Sequence, residues 1–473
     1  MARKSTDPGR HIAGWVAWAS VVGLLAIMAL GSYPLAQAKG WLIDGGQPTI
    51  SAEQLESLQP AGNTQALIGS AGCLEPKASA DQEKVAQAIK SVGEIEKGSL
   101  GVAVADLGAD DLLYGDNADV AMTPASTNKI MTGLSALKVL GYDSTFATRV
   151  MWDSETKTLT LVGGGDPLLA STPETHPYRT RVKPATLSDL ADQVATKLAE
   201  QGISEVTLNY DDSLFSGPSW HPDWAPDFRQ WVAPITALAV DLGNAPAHPE
   251  TADPSLAAAQ TFADQLHQLG ITASAPSASV ASSELSELAS VTSPSVYAMV
   301  EQLIIHSDNY VTEVLFRQTA VASGKPATFQ DAAALQTELL KDFGLWSDNQ
   351  VITDGSGLSD KNKLTPRNLV KALQLANSLE QVGYLLAGLP TARVSGSLAA
   401  RFWDAASSAG AGRVRAKTGY LDHVSSLSGI TPTKDGAIVV FAFIGNDLPL
   451  DTDPRPWFDH AAAALAGCQC AVG

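Results

Sequence analysis

Thr123-Pro124-Ala125-Ser126-Thr127-Asn128-Lys129 is the stretch on which the reading of this chain turns. Pro124 suits the first turn of a helix, because its fixed φ is already helical and the N–H it lacks is one the helix would leave unpaired. That places Ser126 near a helix N-terminus, where free backbone N–H groups and the dipole favour developing negative charge. Lys129 follows one turn on, on the same face. A lysine can serve as base to a serine when burial or a neighbouring cation lowers its pKa. Alone, Ser-x-x-Lys arises by chance in chains of this length, and an ordinary capped helix would account for it.

Two further stretches give it context. Ser307-Asp308-Asn309 sits in a polar break between two helical patterns and by itself reads as a turn, since these side chains bond back to their own backbone. Lys417-Thr418-Gly419 runs into an apolar, strand-like segment. Ser126 and Ser307 lie 181 positions apart, which leaves room for a domain between them.

The rest of the chain supports that division. A helical pattern (Val85, Ile89, Val92) leads to a strand at Leu100–Asp106, and the helix carrying Lys129 runs to Leu140, closed by Gly141. Arg149–Trp152 and Thr158–Val162 flank a polar turn and read as a hairpin. Thr186 caps a helix with Leu187, Leu190, Val194 and Leu198 on one face, and a strand follows at Val206–Tyr210. Trp220, Trp224 and Trp231 stand in a Pro-rich loop. The C-terminal end offers a turn at Lys434-Asp435-Gly436, an apolar strand Ala437–Ile444 and a helix from Pro454 to Ala466. The expected organisation is a signal peptide or anchor at 1–39, a Gly/Pro/Ser-rich linker at 40–79, a catalytic domain from 80–147 and 286–473, and an inserted α+β domain at 148–285. The catalytic part should be a sheet covered by helices, of α/β or α+β type.

In this order and spacing the three motifs resemble the signature of the penicillin-recognising serine enzymes. Gly163-Gly164-Gly165-Asp166-Pro167, Asp354-Gly355-Ser356-Gly357-Leu358-Ser359 and Ser425-Ser426-Leu427-Ser428-Gly429 narrow the likeness to the low-molecular-mass class C penicillin-binding proteins, peptidase family S13. The resemblance spans about Asp81 to Ala466. It implies a penicillin-binding-protein/serine β-lactamase-like transpeptidase fold with an inserted α+β domain. The implied activity is that of a serine D-alanyl-D-alanine carboxypeptidase or endopeptidase on peptidoglycan stem peptides, inhibited by β-lactam antibiotics. It also implies roles. Ser126 attacks the carbonyl of the penultimate D-alanine and Lys129 takes its proton. Ser307, helped by Lys417, passes a proton to the leaving amine. Asn309 orients Lys129 and bonds the substrate backbone. Lys417, Thr418 and Gly419 receive the terminal carboxylate side, and the N–H groups of Ser126 and Tyr420 form an oxyanion hole. No metal or organic cofactor is needed. Asp360-Lys361 and Tyr420-Leu421-Asp422 depart from the family pattern beside the pocket for the stem's side chain. His306 and His423 flank motifs and are expected to pack or hydrogen-bond rather than act as bases. A degenerate wall-binding scaffold, or a β-lactamase or esterase on the same fold, stay open as alternatives. Gly-x-Ser-x-Gly and His-Glu-x-x-His are absent, and the triple glycine lacks the Lys-Ser/Thr of a phosphate loop.

With 50 acidic against 31 basic side chains the formal charge is −19, which argues against nucleic-acid partners. Arg3, Lys4 and Arg10 precede an uncharged run from Ile12 to Tyr33, and Ala36-Gln37-Ala38 offers a small-x-small cleavage pattern. The run is about as long as the roughly 20 residues of a spanning helix and longer than the ~7–15-residue core of a signal peptide, which favours a retained membrane anchor over a cleaved signal. Either way the remainder is expected to work outside the cytoplasm. In that setting the three cysteines suggest a disulfide, with Cys73 bridging to Cys468 or Cys470 and tying the two ends of the fold together.

Overall fold

The computed structural model describes residues 74–472, except 96, 176–182, 250, 380, 381 and 452. Residues 1–73 lie outside the described residues, and with them the basic head, the apolar run, the cleavage pattern and Cys73. Among the described residues no helix is long and apolar enough to cross a membrane.

Helix α1 (Gln82–Lys90) starts where the Asp81 side chain accepts from the Lys84 N–H at 3.0 Å. Strands β1 (Ser99–Asp106) and β2 (Leu112–Asp116) follow, then α2 (Lys129–Leu140). The next block holds β3 (Ala147–Asp153), β4 (Thr158–Val162), α3 (Leu187–Glu200), β5 (Glu205–Asp211), α4 (Pro254–Gln268), the two-residue strands β6 (Thr272–Ala273) and β7 (Ser277–Ala278), and β8 (Ser286–Thr292). Helices α5 (Val296–Ile305), α6 (Asn309–Ala322), α7 (Phe329–Asp342) and α8 (Pro366–Ser378) lead to β9 (Arg415–Leu421), β10 (Val424–Pro432), β11 (Ile438–Asn446) and α9 (Arg455–Gly467).

The two ends of the chain weave one antiparallel sheet in the order β2-β1-β11-β10-β9. Strand β11 is central and buried on both faces, so it reads as an unbroken apolar run. Its alternate residues serve two cores. Val439, Phe441 and Phe443 pack with Phe458, Ala461 and Leu465 of α9, whereas Val440, Ala442 and Ile444 face α2, α5, α6 and α8. Each buried phenylalanine contributes about 2–3 kcal/mol of transfer free energy.

The middle of the chain builds a second sheet, β6-β5-β4-β3-β8 with β7 beside β5. The hairpin read from sequence is there, with Arg149 opposite Val162. Thr186 caps α3 by accepting from the Asp189 N–H at 3.0 Å, and Leu187, Leu190, Val194 and Leu198 are buried against Val150, Leu159 and Leu161. Strand β8 pairs with β3, so this sheet extends beyond the boundary expected at 285. The Pro-rich loop after β5 is not loose. Phe215, Trp224, Val232 and Ile235 form a core with Tyr310 and Val314 of α6 and Phe329 of α7.

Two expectations at the chain ends are corrected. Residues 74–79, read as the end of a linker, are bonded into the fold: Leu74 N–H donates to Asn377 Oδ1 at 2.7 Å and Lys77 N–H to Gly436 O at 3.1 Å. The disulfide joins Cys468 and Cys470, the two expected partners of Cys73, and they are placed against each other with Cα atoms 5.2 Å apart, within ordinary bridging range; Cys73 itself lies outside the described residues. The two ends meet nonetheless, through backbone bonds from Asp81 N–H to Cys470 O (2.6 Å) and from Val472 N–H to Ser79 O (2.8 Å).

Candidate active site

Ala125–Asn128 forms a turn of 3-10 helix, and the α-helix begins only at Lys129. Ser126 therefore stands just before α2, near its N-terminus as the sequence suggested, but in a 3-10 turn. The tighter winding serves the geometry, because residues three apart are eclipsed in a 3-10 turn. Lys129 Nζ lies 2.8 Å from Ser126 Oγ. Two non-glycine residues here hold left-handed backbone, Ala125 (φ 48°) and Ser307 (φ 59°). Such conformations cost about 1–3 kcal/mol each and persist only where the surroundings enforce them.

Lys129 is fully buried, and its ammonium is satisfied on all sides. Besides Ser126, Nζ donates to Asn309 Oδ1 at 2.7 Å and to the Ser356 carbonyl at 2.8 Å. A neutral amine has two N–H donors and one lone pair. With both donors taken by Asn309 and Ser356, the lone pair is left facing Ser126 Oγ, the arrangement a general base requires. Burial lowers the Lys129 pKa to about 8, opposed by the negative charges of Glu313, Asp354 and Asp308.

Ser307 occupies the break between α5 and α6, which restarts where Asp308 accepts from the Val311 N–H at 2.8 Å. Lys417 Nζ donates to Ser307 Oγ at 2.8 Å and to the Thr418 carbonyl at 2.7 Å. Burial and the nearby Lys129 charge push the Lys417 pKa well below its usual value. Three separate stretches of chain thus supply two neighbouring hydrogen-bonded sets, Ser126–Lys129–Asn309 and Ser307–Lys417.

The segment 354–359 closes over this group. Asp354, fully buried, accepts from the N–H groups of Gly357 (2.8 Å) and Ser359 (2.6 Å), from Asn362 Nδ2 (2.8 Å) and from Trp224 Nε1 (2.8 Å). Gly357, at φ 80°, is required: a Cβ there would collide with the Ala125 carbonyl beside the nucleophile. Glu313 of α6, also fully buried, accepts from Ser356 N–H at 2.6 Å and Gly355 N–H at 3.2 Å.

Strand β9 is the edge of its sheet and passes beside Ser126. A Cβ on Gly419 would sit 2.8 Å from the Pro124 carbonyl and 3.0 Å from the Ser126 nitrogen, so only glycine allows this approach. Ala416 N–H donates to Pro390 O on the outer edge, and alternation turns the Tyr420 N–H to that same edge. Thr418 Oγ1 donates to Ser397 Oγ at 2.8 Å. Thr418, Gly419, Tyr420 and Ser397 line an open cavity of about 590 Å³ with Arg401 and Arg455. Lys417, buried behind the strand, is not among the lining residues, so the cations facing that cavity are the two arginines.

The sequence reading did not assign Ser356, Glu313, Ser397 or Trp231, whose carbonyl accepts one Asn309 Nδ2 N–H at 3.1 Å. Glu313 carried a signal, being an acid four residues after Asn309 and so on the same face of the helix. Ser397 and Trp231 carried none. Of the departures from the family pattern, Lys361 pairs with Asp223 and Tyr420 is exposed at the cavity. His423 Nδ1 is 2.7 Å from the Leu448 carbonyl in the β9–β10 turn, and His306 is exposed at the end of α5. Asp166 is buried in the glycine-rich turn, whose Gly164 and Gly165 carbonyls accept from Gln318 Nε2 at 2.7 and 3.0 Å. Among the described residues no cluster of His, Cys, Asp or Glu could hold a metal ion.

Comparison with known proteins gives the family and the fold. A carboxypeptidase of Mycobacterium tuberculosis is 34% identical over 365 residues, covering 74% of this chain and 77% of its own. Carboxypeptidase DacB of Mycolicibacterium smegmatis is 32% identical over 383 residues, covering 77% and 79%. The crystal structure of penicillin binding protein 4 from Haemophilus influenzae shares the fold, with a TM-score of 0.67 at 20% identity over 81% of this chain and 98% of that one. The family described as D-Ala-D-Ala carboxypeptidase 3 (S13) matches residues 81–251 and 243–466, and the chain belongs to that family.

Proposed function

We propose that this chain is a serine D-alanyl-D-alanine peptidase of peptidoglycan stem peptides that forms its acyl-enzyme on Ser126 and is blocked there by β-lactams. The observation that carries the reading is the buried Lys129 amine, 2.8 Å from Ser126 Oγ with its two other hydrogen-bonding directions occupied. Lys129 takes the serine proton as Oγ attacks the carbonyl of the penultimate D-alanine. The N–H groups of Ser126 and Tyr420 stabilise the oxyanion, typically worth about 3–4 kcal/mol for one donor. Ser307, held by Lys417, returns a proton to the departing amine. The Thr418 hydroxyl receives the terminal carboxylate, and water then releases the acyl group. The substrate lies along the free edge of β9 as an added strand.

The location follows from the substrate: the catalytic part works outside the cytoplasm, where wall peptides are. The uncharged run from Ile12 to Tyr33 supports retention at the membrane.

Replacing Ser126 with Ala should abolish covalent labelling of the full chain by a fluorescent penicillin and the release of D-alanine from un-cross-linked muropeptides, followed by mass spectrometry. Label persisting on another residue would overturn the assignment. Steady nitrocefin turnover by the unaltered chain would instead point to a β-lactamase.

A further inference from the structure

Helix α6 carries a polar stripe at intervals of four: Asn309, Glu313 and Arg317. These side chains therefore share one face of the helix. Each holds a different part of the site. Asn309 accepts from Lys129 Nζ directly. Arg317 binds loop carbonyls, donating to Ala327 O at 2.7 Å and Ile235 O at 3.0 Å. Glu313 lies between them, and its two oxygens are spent on consecutive backbone N–H groups, Gly355 and Ser356. Ser356 is the residue whose carbonyl accepts from Lys129. The Glu313 carboxylate thus grips the peptide that grips the base.

We propose that Glu313 is a positioning residue for Lys129, fixing the Ser356 carbonyl against Nζ and supplying a buried negative charge that sets how readily Lys129 is protonated. The inference rests on Ser126 and Lys129 carrying the chemistry. A side chain needed only for packing at this depth would be apolar, because an acid with no exposed surface pays a large desolvation cost. Burial and the neighbouring Asp354 charge raise the Glu313 pKa, while the two backbone donors favour its ionised form. The other charges facing this pair are Asp354 and Asp308 toward Lys129, Arg317 toward Glu313, and Lys417, on which Lys129 acts.

The sign of the effect is fixed by electrostatics. Where Glu313 is ionised, removing it takes an anion from beside the ammonium and makes protonation harder, so the amine is free at lower pH. The test is the rate of acylation of the full chain by a fluorescent penicillin as a function of pH. In Glu313→Gln the acid limb should move to lower pH by about one unit. The plateau rate should fall, since the two N–H groups are held by different oxygens and an amide would set its own NH2 against one of them. Glu313→Asp keeps the charge but draws it back by one methylene, so it should acylate more slowly with its acid limb unmoved. An unmoved or raised limb in the glutamine variant overturns the proposal, as does wild-type acylation in the aspartate variant, and the latter holds even if the glutamine variant fails to fold. Ser126→Ala separates the two levels. Labelling that survives it sinks the reading of the site itself, whereas silence there with an unmoved limb sinks only the role of Glu313.

Discussion

The floor and the wall of the cleft are built differently. The floor comes from the region of the antiparallel sheet and its helices, and it buries the groups that carry charge: Lys129, Lys417, Glu313 and Asp354 are all inaccessible. The wall is the loop after β5, packed through Trp224, Val232 and Ile235 onto α6 and α7. Among its contacts with the floor, two fall on residues that hold a reacting group or its loop in place and one lies at the rim. The Trp231 carbonyl accepts from Asn309, Trp224 Nε1 donates to Asp354, and Asp223 pairs with Lys361. The difference separates two tasks, with proton chemistry on the floor and its alignment shared with the wall. Substitutions should therefore lose activity in proportion to how few contacts separate them from Lys129 Nζ.

The largest loss belongs to the floor. Lys129→Ala leaves Ser126 without a base and should slow acylation by about a thousandfold, measured by stopped-flow with a fluorescent penicillin. The pH profile sharpens the point. With a pKa of about 8, Lys129 is mostly protonated and unable to accept a proton at lower pH. Acylation by the unaltered chain should rise with pH and level off above about 8, and Lys129→Ala should lack that rise. A rise surviving in the variant would assign the titrating group elsewhere.

That division also explains what sequence could and could not show. The floor is carried by short motifs whose spacing survives folding, so Ser126-x-x-Lys129, Ser307-x-Asn309 and Lys417-Thr418-Gly419 were all readable. Strand β11 and helix α3 were readable too, because burial on two faces gives an unbroken apolar run and burial on one gives a helical stripe. The wall has no such grammar. Trp231 acts through its carbonyl, which any residue possesses, and Ser397 meets Thr418 only through the fold. The 3-10 winding at Ser126 was hidden for a similar reason. Pro124 suits either helix, and the choice is made by tertiary contacts such as Gly357 against Ala125.

A middle-sized effect is expected where wall meets floor. Trp224→Phe keeps the buried ring and deletes the indole N–H that donates to Asp354. Asp354 retains its bonds from Gly357, Ser359 and Asn362, so the loop should hold, less firmly. The expected cost is about 1–2 kcal/mol in denaturant unfolding. Acylation should fall by about tenfold, because Ser356 lies in the loosened loop. A loss of stability with unchanged acylation would mean the wall supports the fold without aligning the base.

The smallest effect should come from the rim. Lys361 and Asp223 form a surface pair, with the lysine side chain 64% exposed, and the attraction of such pairs is largely offset by solvent. Lys361→Ala should leave the unfolding midpoint and the penicillin acylation rate unchanged, since neither depends on a group outside the hydrogen-bonded cluster around Ser126. On the proposed function, Asp360-Lys361 stands beside the pocket for the stem peptide's side chain. Loss of the lysine should therefore appear as a several-fold change in kcat/KM between muropeptides that differ only in that side chain. A uniform fall across all substrates would break the comparison from the other side, by making a rim contact part of the alignment of Lys129.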